Sequence, residues 1–146
     1  MTREPFLRTR AGRLALLAML ALAMGTFAAM VLVDVIRSDP MPDRLVDVIL
    51  AYLLVGGMFA FVYEIVNVAL PGALLLDGRA MDDPAYVYFS FTTLTSVGFG
   101  DALPMHPVSR TIAMGEALTG QLYVAVLIAR FANPNRRRPE ERPDGA

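Results

Sequence analysis

The chain has 146 residues, of which 55% are hydrophobic and only 18% charged, and its formal net charge is −1. Soluble domains carry about 25% charged residues, so this composition indicates a membrane protein and excludes a largely disordered chain. The absence of cysteine excludes disulfides and thiolate catalysis, and the single histidine excludes a site built from several histidines of one subunit.

The first apolar run, residues 14–36, follows a basic tail at residues 1–13 and is long enough to cross a bilayer. A signal peptide is the alternative interpretation, because a basic stretch precedes an apolar one. Signal peptides, however, have an apolar core of about 7–15 residues and end at a small-residue cleavage site. The bulky residues 30–33 supply no such site, so the sequence predicts a retained helix over residues 14–37.

A second apolar run, residues 45–66, predicts a second spanning helix. Pro40 and Pro42 separate it from the first helix, since proline opposes helix continuation. Glu64 lies near its outer end, where we expect the carboxylate to snorkel to the membrane interface. Residues 71–84 are rich in polar and turn-forming residues and predict a loop.

A short helix and a third long one follow this loop. An acidic pair and a proline at residues 82–84 favour a helix start, and the helix predicted over residues 85–95 is about half the length needed to span. Such a helix before a glycine-rich stretch is typical of a re-entrant segment. Pro107 opens the third apolar run, residues 108–131, and the Arg-, Pro- and Glu-rich residues 133–146 predict a disordered tail.

The glycine-rich stretch after the short helix has the properties of an ion-coordinating backbone. Irregular backbone at membrane depth is tolerated only where it is buried in protein or lines a wet cavity. Gly98 and Gly100 alternate with larger residues, and glycine reaches the left-handed conformations that turn successive carbonyls to one side. Rings of carbonyl oxygens can replace the hydration shell of a cation.

Residues 96–101, the filter segment, read S-V-G-F-G-D and resemble the T-V-G-Y-G-D selectivity filter of the potassium channel family. The resemblance covers an ion-channel pore domain at residues 45–132. It implies an all-α membrane protein with an outer helix, a re-entrant pore helix and filter, and an inner helix. Residues 14–37 add an N-terminal helix that is either transmembrane or interfacial.

The resemblance also implies how K⁺ is bound. Ser96, Val97, Gly98 and Phe99 are expected to coordinate the ion, and Gly100 completes the filter. Ser96 replaces the usual threonine and lacks the methyl group that stiffens its rotamer, so looser selectivity is one expectation. Phe99 replaces the usual tyrosine and lacks a phenolic hydroxyl that would brace the filter.

Three residues are expected to support the filter, namely Tyr88, Thr95 and Asp101. Some members of the family place a glutamate at the position of Thr92, where it pairs with the aspartate that matches Asp101. This chain lacks that carboxylate, and Tyr88 is the expected partner of Asp101 instead.

Two residues of the third helix are functional candidates. Gly120 lies 20 residues beyond Gly100, where the family's inner helix has a hinge glycine, although close helix packing is an equally good explanation. Glu116 is costly inside a membrane and should face protein or water. We expect it behind the pore helix, bonded to Ser90 or Thr93; a cavity-facing ring of four carboxylates is the alternative.

Charged residues near the pore entrance and at the N-terminus give further expectations. An acidic pore entrance would concentrate cations by its negative potential, and its residues are Asp77, Asp82, Asp83 and Asp101. The resemblance implies that the third helix ends in the cytoplasm. With three spans, the N-terminal arginines would then lie outside, against the positive-inside rule. Either the first helix lies along the interface, or the orientation of the pore overrides these charges.

One chain supplies one filter strand and a ring needs several, so the resemblance implies a homotetramer. We expect a multi-pass subunit in a cell membrane, namely a prokaryotic inner or plasma membrane. The subunit is expected to conduct K⁺ passively and not to be an enzyme. The expected partners are lipid and monovalent cations, with no nucleic acid and no cofactor besides K⁺ as the permeant ligand. A weakly selective cation channel and a non-conducting membrane scaffold or regulatory subunit are the alternatives.

Overall fold

The computed structural model describes residues 10–37 and 45–131, which form four helices and three short strands. The helices are α1 (Arg10–Arg37), α2 (Leu45–Ala69), α3 (Asp83–Leu94) and α4 (Pro107–Phe131). The strands are β1 (Leu74–Leu76), β2 (Arg79–Ala80) and β3 (Ala102–Pro104). The predicted break around Pro40 and Pro42 and the predicted disordered tail lie outside the described residues.

The three long helices are apolar enough to cross a membrane, over Arg10–Met30, Val46–Ala69 and Pro107–Ala129. Their apolar side chains are widely exposed in a single chain, as at Leu22, which is 72% exposed. Helices that are apolar on all sides belong in lipid or against other helices. The predicted all-α, multi-pass membrane architecture is thereby confirmed.

Helix α1 packs antiparallel along α2 through reciprocal glycine–methionine contacts. A Cβ atom added at Gly25 would lie 2.7 Å from the Met58 sulfur, and one added at Gly57 would lie 2.5 Å from the Met24 methyl carbon. Small residues at these positions let the two helices approach closely. Because α1 runs beside α2, it crosses the same thickness, which favours the transmembrane alternative over the interfacial one.

Two arginines attach the first turns of α1 to the far end of α2. The helix begins at Arg10, earlier than the predicted residue 14, and the Arg10 guanidinium donates to the carbonyl oxygens of Val68 and Ala69. These carbonyls belong to the last turn of α2, which has no donors of its own helix left for them. Arg10 therefore caps α2.

The expectation that Glu64 snorkels to the interface is wrong, because its carboxylate is buried against Arg13. Glu64 is only 8% exposed, and its carboxylate pairs with Arg13. The same guanidinium lies 2.9 Å from Asp83 Oδ1, at the first residue of α3. A carboxylate buried this deeply requires a partner, and an arginine from α1 supplies it.

A small antiparallel sheet has the order β2-β1-β3, with β1 and β2 in the predicted loop and β3 after the filter segment. Strands β1 and β2 form a hairpin whose turn residues, Asp77 and Gly78, have positive φ values of 49° and 73°, as hairpin turns of this kind require. Strand β3 pairs with the other edge of β1, with Leu75 opposite Leu103. The sheet thus joins the chain that follows the filter segment to the chain that precedes α3.

Aromatic packing sets α3 against α2. Tyr63 and Phe89 meet edge to face with ring centroids 4.8 Å apart, and both are buried. Tyr86 extends the cluster, and its hydroxyl accepts a hydrogen bond from Asn67 at 2.7 Å. This core fixes the position of the short helix inside the bundle.

Candidate functional site

Helix α3 begins and ends where its sequence requires. Asp82 is the N-cap in an extended conformation, and a proline occupies the first turn together with Asp83, whose negative charge suits a helix N-terminus. With 12 residues, α3 is too short to span a bilayer. It ends at Leu94, one residue before the predicted end, and the chain then leaves the helix toward the filter segment.

The carboxyl end of α3 is held from two sides. The Tyr52 hydroxyl of α2 donates to the Leu94 carbonyl oxygen at 3.2 Å. On the other side Gly120 of α4 packs directly against the same peptide group, since an added Cβ would overlap the Leu94 oxygen and lie 2.9 Å from its carbonyl carbon. Close packing therefore explains a glycine at position 120; the hinge remains a prediction.

The filter segment has a backbone that alternates in sign. Ser96, Gly98 and Gly100 have φ values of 59°, 52° and 85°, whereas Val97 and Phe99 between them do not have positive φ. Alternation between right- and left-handed dihedrals cancels the turn of the chain and directs successive carbonyls to one side, whereas in a β-strand they point in opposite directions. Glycine adopts positive φ without steric cost, but serine does not.

Two backbone hydrogen bonds tie this segment to the end of α3. The Ser96 amide donates to the Thr93 oxygen at 2.9 Å, and the Gly98 amide donates to the Thr92 oxygen at 3.1 Å. These bonds satisfy carbonyls that a helix end leaves without intrahelical partners. They also turn two amides of the segment back toward its own helix.

The predicted pairing of Asp101 with Tyr88 is present in the structure. The Tyr88 hydroxyl donates to Asp101 Oδ2 at 2.7 Å, and the Ala102 amide donates to Oδ1 at 2.9 Å. The bond from Tyr88 lowers the pKa of Asp101, and the same bond raises the pKa of the Tyr88 phenol. The Tyr88 ring also stacks on Phe99, with centroids 6.2 Å apart and planes 8° from parallel.

Glu116 is fully buried behind α3, so it does not form the cavity-facing ring that was the alternative. The Tyr63 hydroxyl donates to one of its carboxyl oxygens at 2.5 Å, and the Ser90 hydroxyl lies 2.5 Å from the other. Ser90 also lies 2.7 Å from the Gly56 carbonyl oxygen. Of the two expected partners Ser90 is present, whereas Thr93 donates to the Phe89 carbonyl of its own helix. Glu116 thus joins α4 to α3 and α2.

The remaining predicted support residue and a residue missed by the sequence analysis lie at the inner end of the filter segment. The Thr95 hydroxyl donates to the Phe91 carbonyl at 2.6 Å and so completes the last turn of α3. Gln121 of α4 was not predicted; its Nε2 donates to the Ser96 hydroxyl oxygen at 2.8 Å. Its signal in the sequence is a lone amide directly before the apolar residues 122–129 of α4.

The four acidic residues of the predicted entrance differ in their partners. Asp77 and Asp82 are exposed, but Asp83 is paired with Arg13, and Asp101 is bonded to Tyr88. His106 accepts a hydrogen bond from the Val108 amide on Nδ1 at 3.2 Å, at the first turn of α4. Its position is thus that of a residue that caps a helix start.

Comparison with known proteins gives the family. The model of a family described as ion channel matches residues 47–137, more than half of the chain, from the start of α2 through the end of α4. The inward rectifier potassium channel Kirbac3.1 of Paramagnetospirillum magnetotacticum is 31% identical over 91 residues, which is 57% of this chain and 28% of that relative. The chain thus spans less than a third of the relative's length, and no solved structure matches it. The chain belongs to the ion channel family, and its three apolar helices make it a multi-pass membrane protein.

Proposed function

We propose that the chain is one subunit of a homotetrameric, K⁺-selective channel of the cell membrane, in which residues 96–100 form the selectivity filter. The observation that carries the proposal is the alternating sign of φ along residues 96–100, which is positive at residues 96, 98 and 100. Four such strands around one axis would present rings of carbonyl oxygens in place of the water around a dehydrated cation.

Each part of the site has a role in this proposal. Carbonyls of Val97, Gly98 and Phe99 line the upper rings, and the carbonyl and hydroxyl of Ser96 form the innermost site. The carboxyl ends of four α3 helices aim their partial negative charge at a cation in the cavity below. Conduction then needs no covalent chemistry.

The exposed surface of a single chain supports an assembly. Val97 is 54% exposed and Phe99 is 70% exposed, although both are large and apolar. Apolar side chains in this position are expected to be covered by neighbouring subunits. Closed symmetry and the resemblance of residues 96–101 to the potassium channel filter favour four copies.

Ser96 favours a weakly selective cation channel as the second candidate function. Its hydroxyl lacks the adjacent methyl that restricts a threonine to fewer rotamers, so the innermost site has more freedom to accept Na⁺. Reversal potentials measured with K⁺ on one side of the membrane and Na⁺ on the other distinguish the two candidates.

Gly98→Ala tests the filter assignment. Gly98 has a φ of 52°, and an added methyl group both strains this conformation and favours a rotated carbonyl. We expect purified Gly98→Ala to lose K⁺ flux in liposomes while gel filtration still shows the wild-type oligomer.

Gly78→Ala is the matched control. Gly78 has a φ of 73°, and like Gly98 it has no atom within 4 Å of an added Cβ, but it lies in the β1–β2 hairpin. The control should keep its flux. Full flux from Gly98→Ala would refute the filter assignment, and a wild-type protein that passes no K⁺ at any voltage or pH would favour the non-conducting scaffold.

A further inference from the structure

Gln121 connects the inner helix to the first residue of the filter segment. It follows Gly120, whose close contact with Leu94 brings α4 against the end of α3. This contact places the Gln121 amide beside Ser96, and Nε2 donates to Ser96 Oγ at 2.8 Å. Both residues are exposed in a single chain, on the side where the filter segment is open.

The Ser96 hydroxyl needs an external constraint to serve as an ion ligand. A serine side chain has three staggered positions for its hydroxyl, and no second substituent on Cβ selects among them. Ser96 also sits at a φ of 59°, where its backbone differs from that of ordinary serines. A hydroxyl oxygen has two acceptor lone pairs and one proton. The bond from Gln121 uses one lone pair and leaves the other for a cation.

We propose that Gln121 is a positioning residue that fixes the Ser96 hydroxyl for cation binding. Gln121 restricts the hydroxyl through a hydrogen bond from α4. A threonine at position 96 would instead be restricted by its own methyl group. The proposal rests on the assignment of residues 96–100 as the filter. It makes ion selectivity depend on a residue outside the filter segment, and it limits the looser selectivity expected from Ser96.

A purely structural role would give a different pattern of effects. An amide inside a membrane helix also bonds a neighbour simply to satisfy its polar atoms. In that case removing Gln121 would change stability, but the effect on selectivity would not depend on whether position 96 carries serine or threonine. The two roles are therefore separable by a double-mutant cycle.

The cycle combines Gln121→Leu with Ser96→Thr in the full chain, reconstituted in liposomes or planar bilayers. Reversal potentials in opposed K⁺ and Na⁺ solutions give the permeability ratio. A hydrogen bond contributes about 0.5–1.5 kcal/mol, so Gln121→Leu should lower the K⁺ preference roughly 2- to 10-fold when Ser96 is present. In the Ser96→Thr background the same substitution should change the ratio less than about twofold, because the methyl group already restricts the hydroxyl.

Thr119→Val is the matched control, since the Thr119 hydroxyl bonds the Gly115 carbonyl of its own helix at 2.8 Å. It should leave the ratio unchanged. Gln121→Met, which keeps the length of the side chain, replaces Gln121→Leu if the latter does not assemble, and it should give the same result.

Two outcomes overturn the proposal while leaving the filter assignment intact. The first is a wild-type selectivity ratio in the Gln121 variants, and the second is an equal loss of selectivity in both the Ser96 and the Ser96→Thr backgrounds. A different result, wild-type protein that conducts no K⁺, refutes the filter assignment and this proposal together.

Discussion

At the scale of single residues, the bond between Tyr88 and Asp101 holds the outer end of the filter segment. Tyr88 reaches Asp101 with its hydroxyl and Phe99 with its ring, so one side chain of α3 contacts two positions of the segment. The hydroxyl bond lowers the pKa of Asp101 because it stabilises the carboxylate. A depressed carboxyl pKa contributes stability above the ordinary carboxyl pKa and loses it as the pH falls through the lowered value.

We therefore predict that Tyr88→Phe raises the pKa of Asp101 and shifts the acid loss of K⁺ flux to a higher pH. The variant lacks the bond that keeps the carboxylate ionised, so protonation detaches the segment earlier in an acid titration. The measurement is flux in liposomes as a function of the pH on the filter side.

Asp82→Asn serves as the control for this titration, since Asp82 is exposed at the same entrance and makes no side-chain capping bond. Its profile should follow that of the wild type. Superimposable profiles for Tyr88→Phe and wild type would show that the Tyr88 bond does not govern the titration.

The contacts of Tyr88 with Asp101 and of Glu116 with Ser90 were predicted from the sequence, whereas the contact of Gln121 with Ser96 was not. Tyr88 lies in α3 and Asp101 ends the filter segment that follows it, and the lack of a carboxylate at Thr92 pointed to Tyr88 as the partner. Gln121 and Ser96 are 25 residues apart, and their contact depends on how closely α4 approaches α3. That approach is possible because Gly120 has no side chain. The sequence shows the glycine, but it does not show that Leu94 is the residue packed against it.

At the scale of elements, α1 is bound to the pore domain by an ion pair between a half-exposed arginine and a buried glutamate. Arg13 contacts Glu64 of α2 and Asp83 of α3, so one guanidinium touches both neighbouring helices. The two carboxylates differ in environment, because the Glu64 side chain is 10% exposed and the Asp83 side chain 77%. Burial makes the Glu64 contact the stronger determinant of stability.

We predict that Arg13→Gln destabilises the protein by about 1–3 kcal/mol, since it leaves the Glu64 carboxylate buried without its cation. Asp83→Asn should cost less than about 1 kcal/mol, as expected for an exposed pair. The double variant Arg13→Gln with Glu64→Gln should recover most of the loss, because no unpaired charge remains. Thermal unfolding in detergent measures all three. A double variant no more stable than Arg13→Gln would contradict this account.

The sheet shows the limit of pattern reading at this scale. Its strands have 3, 2 and 3 residues, too few for an alternating pattern to be recognised. The Asp77-Gly78 pair was visible as a turn signal between β1 and β2. The second partner of β1 is β3, which lies beyond α3 at Ala102–Pro104. The long helices and α3 were predicted with small errors at their ends because length and composition determine them.

At the scale of the whole molecule, the position of α1 bears on the conflict between the N-terminal arginines and the direction of the pore. Arg10 and Arg13 lie at the end of the bundle that carries the hairpin and the start of α3. Their charges are used in capping α2 and in neutralising two carboxylates. Under the positive-inside rule, unpaired arginines would oppose a location of the N-terminus on the filter side of the membrane. Arg10 and Arg13 are paired, so they should oppose it less strongly.

We predict that Ala11 and Arg79 face the same side of the membrane and that Asp47, at the start of α2, faces the other side. The chain contains no cysteine, so single cysteines at these three exposed positions report without background. A membrane-impermeant maleimide added to sealed vesicles should label Ala11→Cys and Arg79→Cys together, and label Asp47→Cys only after the vesicles are opened or inverted. Joint labelling of Ala11→Cys and Asp47→Cys would mean that α1 does not cross the membrane beside α2. The pore orientation would then no longer have to override the N-terminal charges.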